Sequence, residues 1–502
     1  MALTLPPDVQ LQPGTSEFLK SGPKKLLING KWVEALQGQT FPTVNPATGE
    51  ELAQVALAGE EDVEQAVHAA RAAFEMGPWS QLSGEERGQL LWKLAELVEQ
   101  HADELAELET LDNGKPLRLS RKSDVTYSAK HIRYCAGWAG KIEGSTIPVS
   151  YANQFVYTLR EPYGVVGLII PWNFPLLMAS WKLAQALACG NTVILKPAEE
   201  TPLTALRLGE LILEAGFPDG VVNILTGPGV PTGAAITANM GVDKVSFTGS
   251  TEVGRKILET AAKSNLKKVS LELGGKSPNV IFADADLSKA VKGATWAVFS
   301  TAGQECVAGS RLFVERDVYH EVLEGLTAEV QRIRVGNGFA PKVHIGPIVS
   351  DTQLERILSF IDVGRKGGAQ VVAGGERLGA ELANGYFLAP TVFAHEDDSL
   401  PIVQEEIFGP VVAVTPFDEW DELIKRANSS RYGLAAGVWT KNISKAHRFS
   451  QTVKAGTVWI NGYGMIDPAA PFGGYKESGT GREMGMEAIN LYTQVKTVWV
   501  GL

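Results

Sequence analysis

The chain has 502 residues, 44% of them hydrophobic, with 46 Lys and Arg against 57 Asp and Glu for a net charge of −11. That apolar content excludes wholesale disorder, and an acidic balance with no basic tract excludes a nucleic-acid footprint. The length allows about three domains with large buried cores.

The three cysteines, Cys135, Cys189 and Cys306, are far apart and odd in number. A disulfide framework and a Cys-based zinc site are not expected, and a reducing compartment is. No apolar run reaches the ~18 residues of a membrane span, and no signal-peptide pattern opens the sequence. The expectation is a cytoplasmic protein with no membrane partner and no metal.

In chain order, residues 1–25 are polar and Pro-bearing and read as a loose tail. The stretch 62–113, rich in Ala, Glu and Leu, reads as helical. Thr146 to Arg160 alternates in the β manner around a turn at Tyr151–Asn153, which predicts a hairpin. Beyond it, short apolar runs (VVGLII 165–170, TVILK 192–196, VVNIL 221–225, KVSFTG 244–249, PNVIF 278–282) alternate with helical patterns such as 203–215 and 252–263. That alternation predicts an α/β protein with parallel sheets, which bind ligands at the carboxyl ends of their strands. Tyr492 to Leu502 is β-branched and aromatic and predicts a terminal strand. Hairpin and terminal strand fit no βαβ unit. They predict either a projecting arm for self-association by strand addition or an edge of the main sheet, and the pattern leaves both open.

Several segments carry residues suited to chemistry. In PWNFPLLMASWKLA (171–184), Pro175 can open a helix, and Asn173 just before it can donate to a developing oxyanion. Phe174, Met178 and Trp181 share a helical face, facing either a substrate channel or the core. In TVILKPAEE (192–200), Lys196 ends a strand, and Glu199 is placed to accept from ribose hydroxyls and to repel a 2′-phosphate, or simply to cap a helix. TGPGVPTG (226–233) and FTGSTEVG (247–254) each follow a strand and open a helix, where backbone N–H groups favour phosphate. Neither is the G-x-G-x-x-G fingerprint. Glu272 lies in an apolar strand, where a carboxyl's pKa rises towards that of a general base, unless Lys276 pairs with it. Cys306 sits in a small-residue loop, TAGQECVAGSR, that suits an accessible thiolate, whereas Cys135 and Cys189 read as inert buried thiols. QEEIFGP (404–410) and PFGGYKESGTGREMG (471–485) complete the set.

Together, from about Leu26 onward, PWNFP, KPAE, FTGSTEVG, LELGGKSP, GQxC, EEIFGP and PFGGYKxSGxGRE resemble the aldehyde dehydrogenase superfamily in its own motif order. The likeness is greatest to its NAD-dependent, broad-specificity branch of acetaldehyde and retinal dehydrogenases. The resemblance implies a Rossmann-like coenzyme domain (1–141 and 163–273), an α/β catalytic domain (274–484) and a small β oligomerisation arm (142–162 and 485–502). It implies a homo-oligomer, a dimer of dimers. It implies Cys306 as nucleophile, Asn173 in the oxyanion hole, Glu272 as base, and Lys182 with Glu483 as a proton relay. The implied NAD contacts are Ile169, Pro171, Trp172, Lys196, Glu199, Gly229, Phe247, Gly249, Ser250, Gly254, Glu406 and Phe408. The implied substrate tunnel is Tyr127, Phe174, Leu177, Met178, Trp181, Glu305, Val307, Tyr463, Met465, Ile466 and Phe472. That tunnel suits medium-chain aliphatic or aromatic aldehydes. The competing readings are a dedicated aminoaldehyde or betaine aldehyde dehydrogenase, NADP use, and a non-catalytic scaffold on the same fold. Glu305, beside the nucleophile, occupies a position where close relatives often carry Cys, Ile or Thr. Gly464 is expected to widen the tunnel mouth, and Tyr127 to narrow its middle.

Overall fold

The computed structural model describes residues 4–7 and 9–502. Its larger sheet runs, in spatial order, Lys31–Val33, Leu26–Ile28, Val222–Ile224, Thr192–Lys196, Val165–Ile169, Lys244–Thr248, Lys268–Glu272 and Gly479–Thr480. The five strands from Val222–Ile224 to Lys268–Glu272 are mutually parallel. Antiparallel pairs close both edges. The central strands are buried on both faces, which is why they read as continuous apolar runs instead of alternating ones. Helices Pro175–Ala188, Leu203–Ala215 and Thr251–Lys263 cross over between them.

A second sheet is ordered Gln370–Ala373, Thr391–Ala394, Val411–Phe417, Arg311–Glu315, Pro278–Ile281, Ala435–Trp439 and Thr457–Ile460. All its pairings are parallel except that of the edge strand Gln370–Ala373. The chain then returns to the first sheet: Gly479 pairs opposite Glu272. That return brings the segment 471–485 onto the carboxyl end of the strand that carries Glu272.

The predicted hairpin forms, with strands Thr146–Ile147 and Gln154–Pro162 and Asn153 in the left-handed region at the turn. The terminal strand Thr493–Gly501 pairs with the hairpin in unbroken register, from Thr493 opposite Pro162 to Gly501 opposite Gln154. These strands make their own three-stranded sheet, separate from both large ones. Of the two readings left open by the pattern, the edge of the main sheet is excluded.

One expectation is corrected. The stretch 1–25 is not a loose tail throughout, because residues 13–20 form a helix that buries Thr15 and Phe18. Thr15 Oγ1 donates to Glu107 Oε2 at 2.5 Å, and Lys24 is buried as well. A short polar segment carries no sign of docking by itself. Here a neighbouring helix supplies the buried acceptor that the segment's own sequence does not reveal.

Candidate active site

A cavity of 740 Å³ opens between the carboxyl ends of the larger sheet's strands and the loops that lead into the amino ends of the second sheet's strands. Cys306 lies on its wall, in the loop between helix Leu287–Phe299 and strand Arg311–Glu315. The turn ahead of it holds Thr301, Ala302 and Gly303 in the left-handed region at φ 50°, 53° and 71°. Two such non-glycine residues in succession are costly and persist only where the surroundings impose them. At Gly303 a Cβ would meet the Gly409 carbonyl at 2.1 Å, so only glycine fits there. Gln304 pins the turn: its Nε2 donates to the Thr301 and Pro347 carbonyls, and its Oε1 accepts from Val349 N–H. Burial pushes the Cys306 thiol up, and the carboxylates of Glu406, Glu272 and Glu305 push it further.

Asn173 follows strand Val165–Ile169 and precedes helix Pro175–Ala188, with Pro175 opening the helix as its fixed φ favours. The buried Asn173 Nδ2 donates to the Gln304 carbonyl at 2.9 Å, two residues from the nucleophile. Asn113 Nδ2 holds the same loop through the Trp172 carbonyl at 2.8 Å.

Glu272 ends its strand, 7% exposed, and neither carboxylate oxygen has a hydrogen-bond partner among the described residues. Burial holds its carboxyl well above the usual range. The Glu483 carboxylate adds to this, and Lys182 and Arg482 act against it. Lys276 is not its partner; that buried amine faces Arg311, Glu406 and Glu405 instead. Behind Glu272, Lys182 Nζ lies 2.6 Å from Glu483 Oε1 and 2.9 Å from Ser246 Oγ, all of them buried.

On the opposite side of the cavity, Ser250 caps helix Thr251–Lys263 by accepting from Val253 N–H, and Gly249 lies beside it. Glu406 accepts from Gly275 N–H at 2.9 Å, and burial lifts its carboxyl to about 7. A Cβ at Gly274 would strike Glu406 Oε2 at 2.0 Å, so this glycine is what admits Glu406 to the cleft. Phe408 stands edge-on to Trp172, ring centres 5.1 Å apart. Lys196, at the end of the neighbouring strand, is buried, and its Nζ lies 3.5 Å from the half-exposed Glu199 carboxylate.

Pro171, Trp172, Asn173, Gly249, Ser250, Glu272, Cys306, Glu406, Phe408 and Glu483 all line the one cavity. Tyr127, Phe174, Leu177, Met178, Trp181, Glu305, Val307, Ile466 and Phe472 line it too, and so does Gly464. Two tunnel expectations are corrected. Met465 does not line the cavity and is 66% exposed. Tyr463 does not line it either; its hydroxyl donates to the Val307 carbonyl at 2.7 Å and braces the wall from outside. Both lie just after Asn461, whose left-handed φ of 54° turns the chain. Ile169, Phe247 and Gly254 are buried, and Gly229 is exposed. None of these four, nor Lys196 or Glu199, lines the cavity.

One group at the cavity floor has no signal in the sequence. Lys115 Nζ sits 2.9 Å from Asp124, 3.4 Å from Glu109 and 4.1 Å from the centre of the Phe174 ring. Glu109 Oε2 accepts from Leu176 N–H, a free donor of the first turn of helix Pro175–Ala188. Arg356 and Arg431 also line the cavity, on its Glu406 side. All of these are charged residues in ordinary helical or loop surroundings, which only the tertiary fold brings inward.

The profile of the Aldehyde dehydrogenase family matches residues 32–498. The mitochondrial aldehyde dehydrogenase of Homo sapiens is 52% identical over 95% of this chain and 92% of its own length. An aldehyde dehydrogenase of Bacillus cereus, solved as its NAD+ complex, superposes with a TM-score of 0.96 at 51% identity, covering 98% of this chain and 99% of that one. A betaine aldehyde dehydrogenase of Staphylococcus aureus, solved with NAD+, gives a TM-score of 0.95 at 42% identity, covering 98% and 97%. With the fold, the motif order and the cavity in agreement with a match across nearly the whole chain, this protein belongs to the aldehyde dehydrogenase family.

Proposed function

We propose that the chain oxidises a neutral aldehyde to its carboxylic acid with NAD, through a thiohemiacetal and then a thioester on Cys306. The observation that carries this reading is one cavity holding a nucleophile, an amide donor beside it and a carboxylate with both oxygens free. These are the parts of acyl transfer through a covalent intermediate.

The residues fit the coenzyme. The bare Gly274 admits Glu406 to the cleft, Ser250 opens a helix towards it, and Trp172 and Phe408 supply aromatic walls. Glu406 and Phe408 would hold the nicotinamide end, Ser250 the pyrophosphate, and Lys196 with Glu199 the adenosine ribose. Bound there, NAD supplies a hydride acceptor, which turns acyl transfer into oxidation. The protein does the rest. Glu272 takes the thiol proton, Cys306 Sγ adds to the carbonyl carbon, and Asn173 Nδ2 stabilises the oxyanion. In the second half, Glu272 takes a proton from water, and the hydroxide formed cleaves the thioester to the acid and the free thiol. Lys182, Glu483 and Ser246 form a hydrogen-bonded path for that proton.

The aromatic and aliphatic lining supports hexanal or benzaldehyde over betaine aldehyde. Three free cysteines support a cytoplasmic setting, and among the described residues no helix is long and apolar enough to cross a membrane. The test is NADH formation with hexanal and benzaldehyde. Wild type should turn over with NAD and Cys306→Ala should not. Glu199→Ser should raise activity with NADP relative to NAD, by removing the charge that repels a 2′-phosphate. Equal activity of Cys306→Ala, or a stronger response to betaine aldehyde, would overturn the reading.

A further inference from the structure

Glu305 is the one charged group beside the nucleophile that the reaction above does not use. It lines the cavity next to Cys306. Its Oε1 accepts from Ser300 Oγ at 2.9 Å and from Thr301 Oγ1 at 2.8 Å. Thr301 sits on the strained turn and Ser300 directly before it, so the carboxylate is held from two adjacent residues. Its other oxygen has no hydrogen-bond partner among the described residues. The rings of Tyr127, Phe174, Trp181 and Phe472 line the same cavity, with Lys115 at its floor. Asp124 also lines the cavity, but Lys115 at 2.9 Å already engages it.

An acceptor held in a cavity wall discriminates by hydrogen bonding. A substrate that supplies the missing donor replaces water, whereas an isostere without it leaves the acceptor bare. A carboxylate on the substrate would face like charge at short range. We infer that Glu305 is the specificity-determining residue of the tunnel, selecting aldehydes whose body carries a neutral hydroxyl donor and rejecting those that carry a carboxylate. This rests on the dehydrogenase reading above and adds its substrate class.

The test compares kcat/KM for methylbenzaldehyde, the (hydroxymethyl)benzaldehydes substituted meta and para, and carboxybenzaldehyde. Wild type should favour one of the hydroxymethyl isomers over its methyl analogue by about tenfold, the range of a hydrogen bond to a charged acceptor, and should use the carboxy compound least. In Glu305→Leu that preference should fall to about onefold, read as the ratio of the two substrates in the same variant. Glu305→Gln, which keeps the shape and the hydroxyl contacts, should lose most of the discrimination against the carboxy compound; it carries the test if the leucine variant does not fold. A wild-type hydroxymethyl-to-methyl ratio near one, or a ratio unchanged in both variants, overturns the inference while leaving the dehydrogenase reading intact. Absence of turnover with methylbenzaldehyde in wild type would instead count against the dehydrogenase reading itself.

Discussion

At the scale of single residues, a carboxyl buried without a hydrogen-bond partner must weaken the fold that holds it, and Glu272 is such a group. Its folded pKa is raised. Below the unfolded value of about 4.3 both states hold the proton, and burial carries little ionic penalty. As pH rises above that value, the unfolded chain releases its proton freely while the folded chain releases it only at higher pH and at a cost, so stability is lost with rising pH. Glu272→Gln removes the ionisation and keeps the shape. The variant should therefore melt above wild type, by the equivalent of about 1–3 kcal/mol at neutral pH, with the gap closing as the buffer approaches pH ~4.3. Calorimetric scans across that range would show it, and a variant that melts below wild type at neutral pH would contradict the reading of Glu272 as unpaired. Glu272, Cys306 and Asn173 were legible in the sequence because each sits beside a turn or strand end that backbone physics marks. Glu305 was legible as a residue but not as a geometry. Whether it met the cavity depended on the Ser300 and Thr301 hydroxyls, which no periodicity reveals.

At the scale of elements, strand ends were the legible part. The runs 165–170, 192–196 and 244–249 are apolar because helices cover both faces of their sheet, and Gly and Pro punctuate their exits. Helix Pro13–Lys20 and the Lys115–Asp124–Glu109 group were not legible, since both depend on partners about 90 residues or one element away, with no local signature. The loop 461–470 was legible only in part: Ile466 faces the cavity, whereas Met465 and Tyr463 do not, because the turn at Asn461 sets the direction of the residues after it. The arm carries its own prediction. Its sheet exposes Ile147, Tyr151, Phe155, Leu159, Val495, Trp499 and Val500, an apolar surface unusual for a free edge. It is proposed to pair with a second copy, giving a dimer of dimers. Val495→Lys with Trp499→Glu should shift sedimentation from tetramer towards smaller species. A wild type that sediments as a monomer would contradict the proposal.

At the scale of the whole molecule, the site exists because the carboxyl ends of the first sheet's strands face the amino ends of the second sheet's strands across one cavity and a returning segment joins them. Cys306 comes from the second sheet's approach, Asn173 and Glu272 from the first, and Glu483 from the segment that pairs Gly479 opposite Glu272. The central claim is that Cys306 carries the acyl group and that Glu272 releases it. The most direct measurement is rapid mixing of Glu272→Gln with NAD and hexanal, followed by intact-protein mass spectrometry. The account predicts that NADH forms more slowly than in wild type, because the thiol must lose its proton to water, and stops at about one per site, with a hexanoyl adduct left on Cys306. Turnover that continues past one NADH per site, or an unmodified Cys306 after NADH has formed, would contradict it.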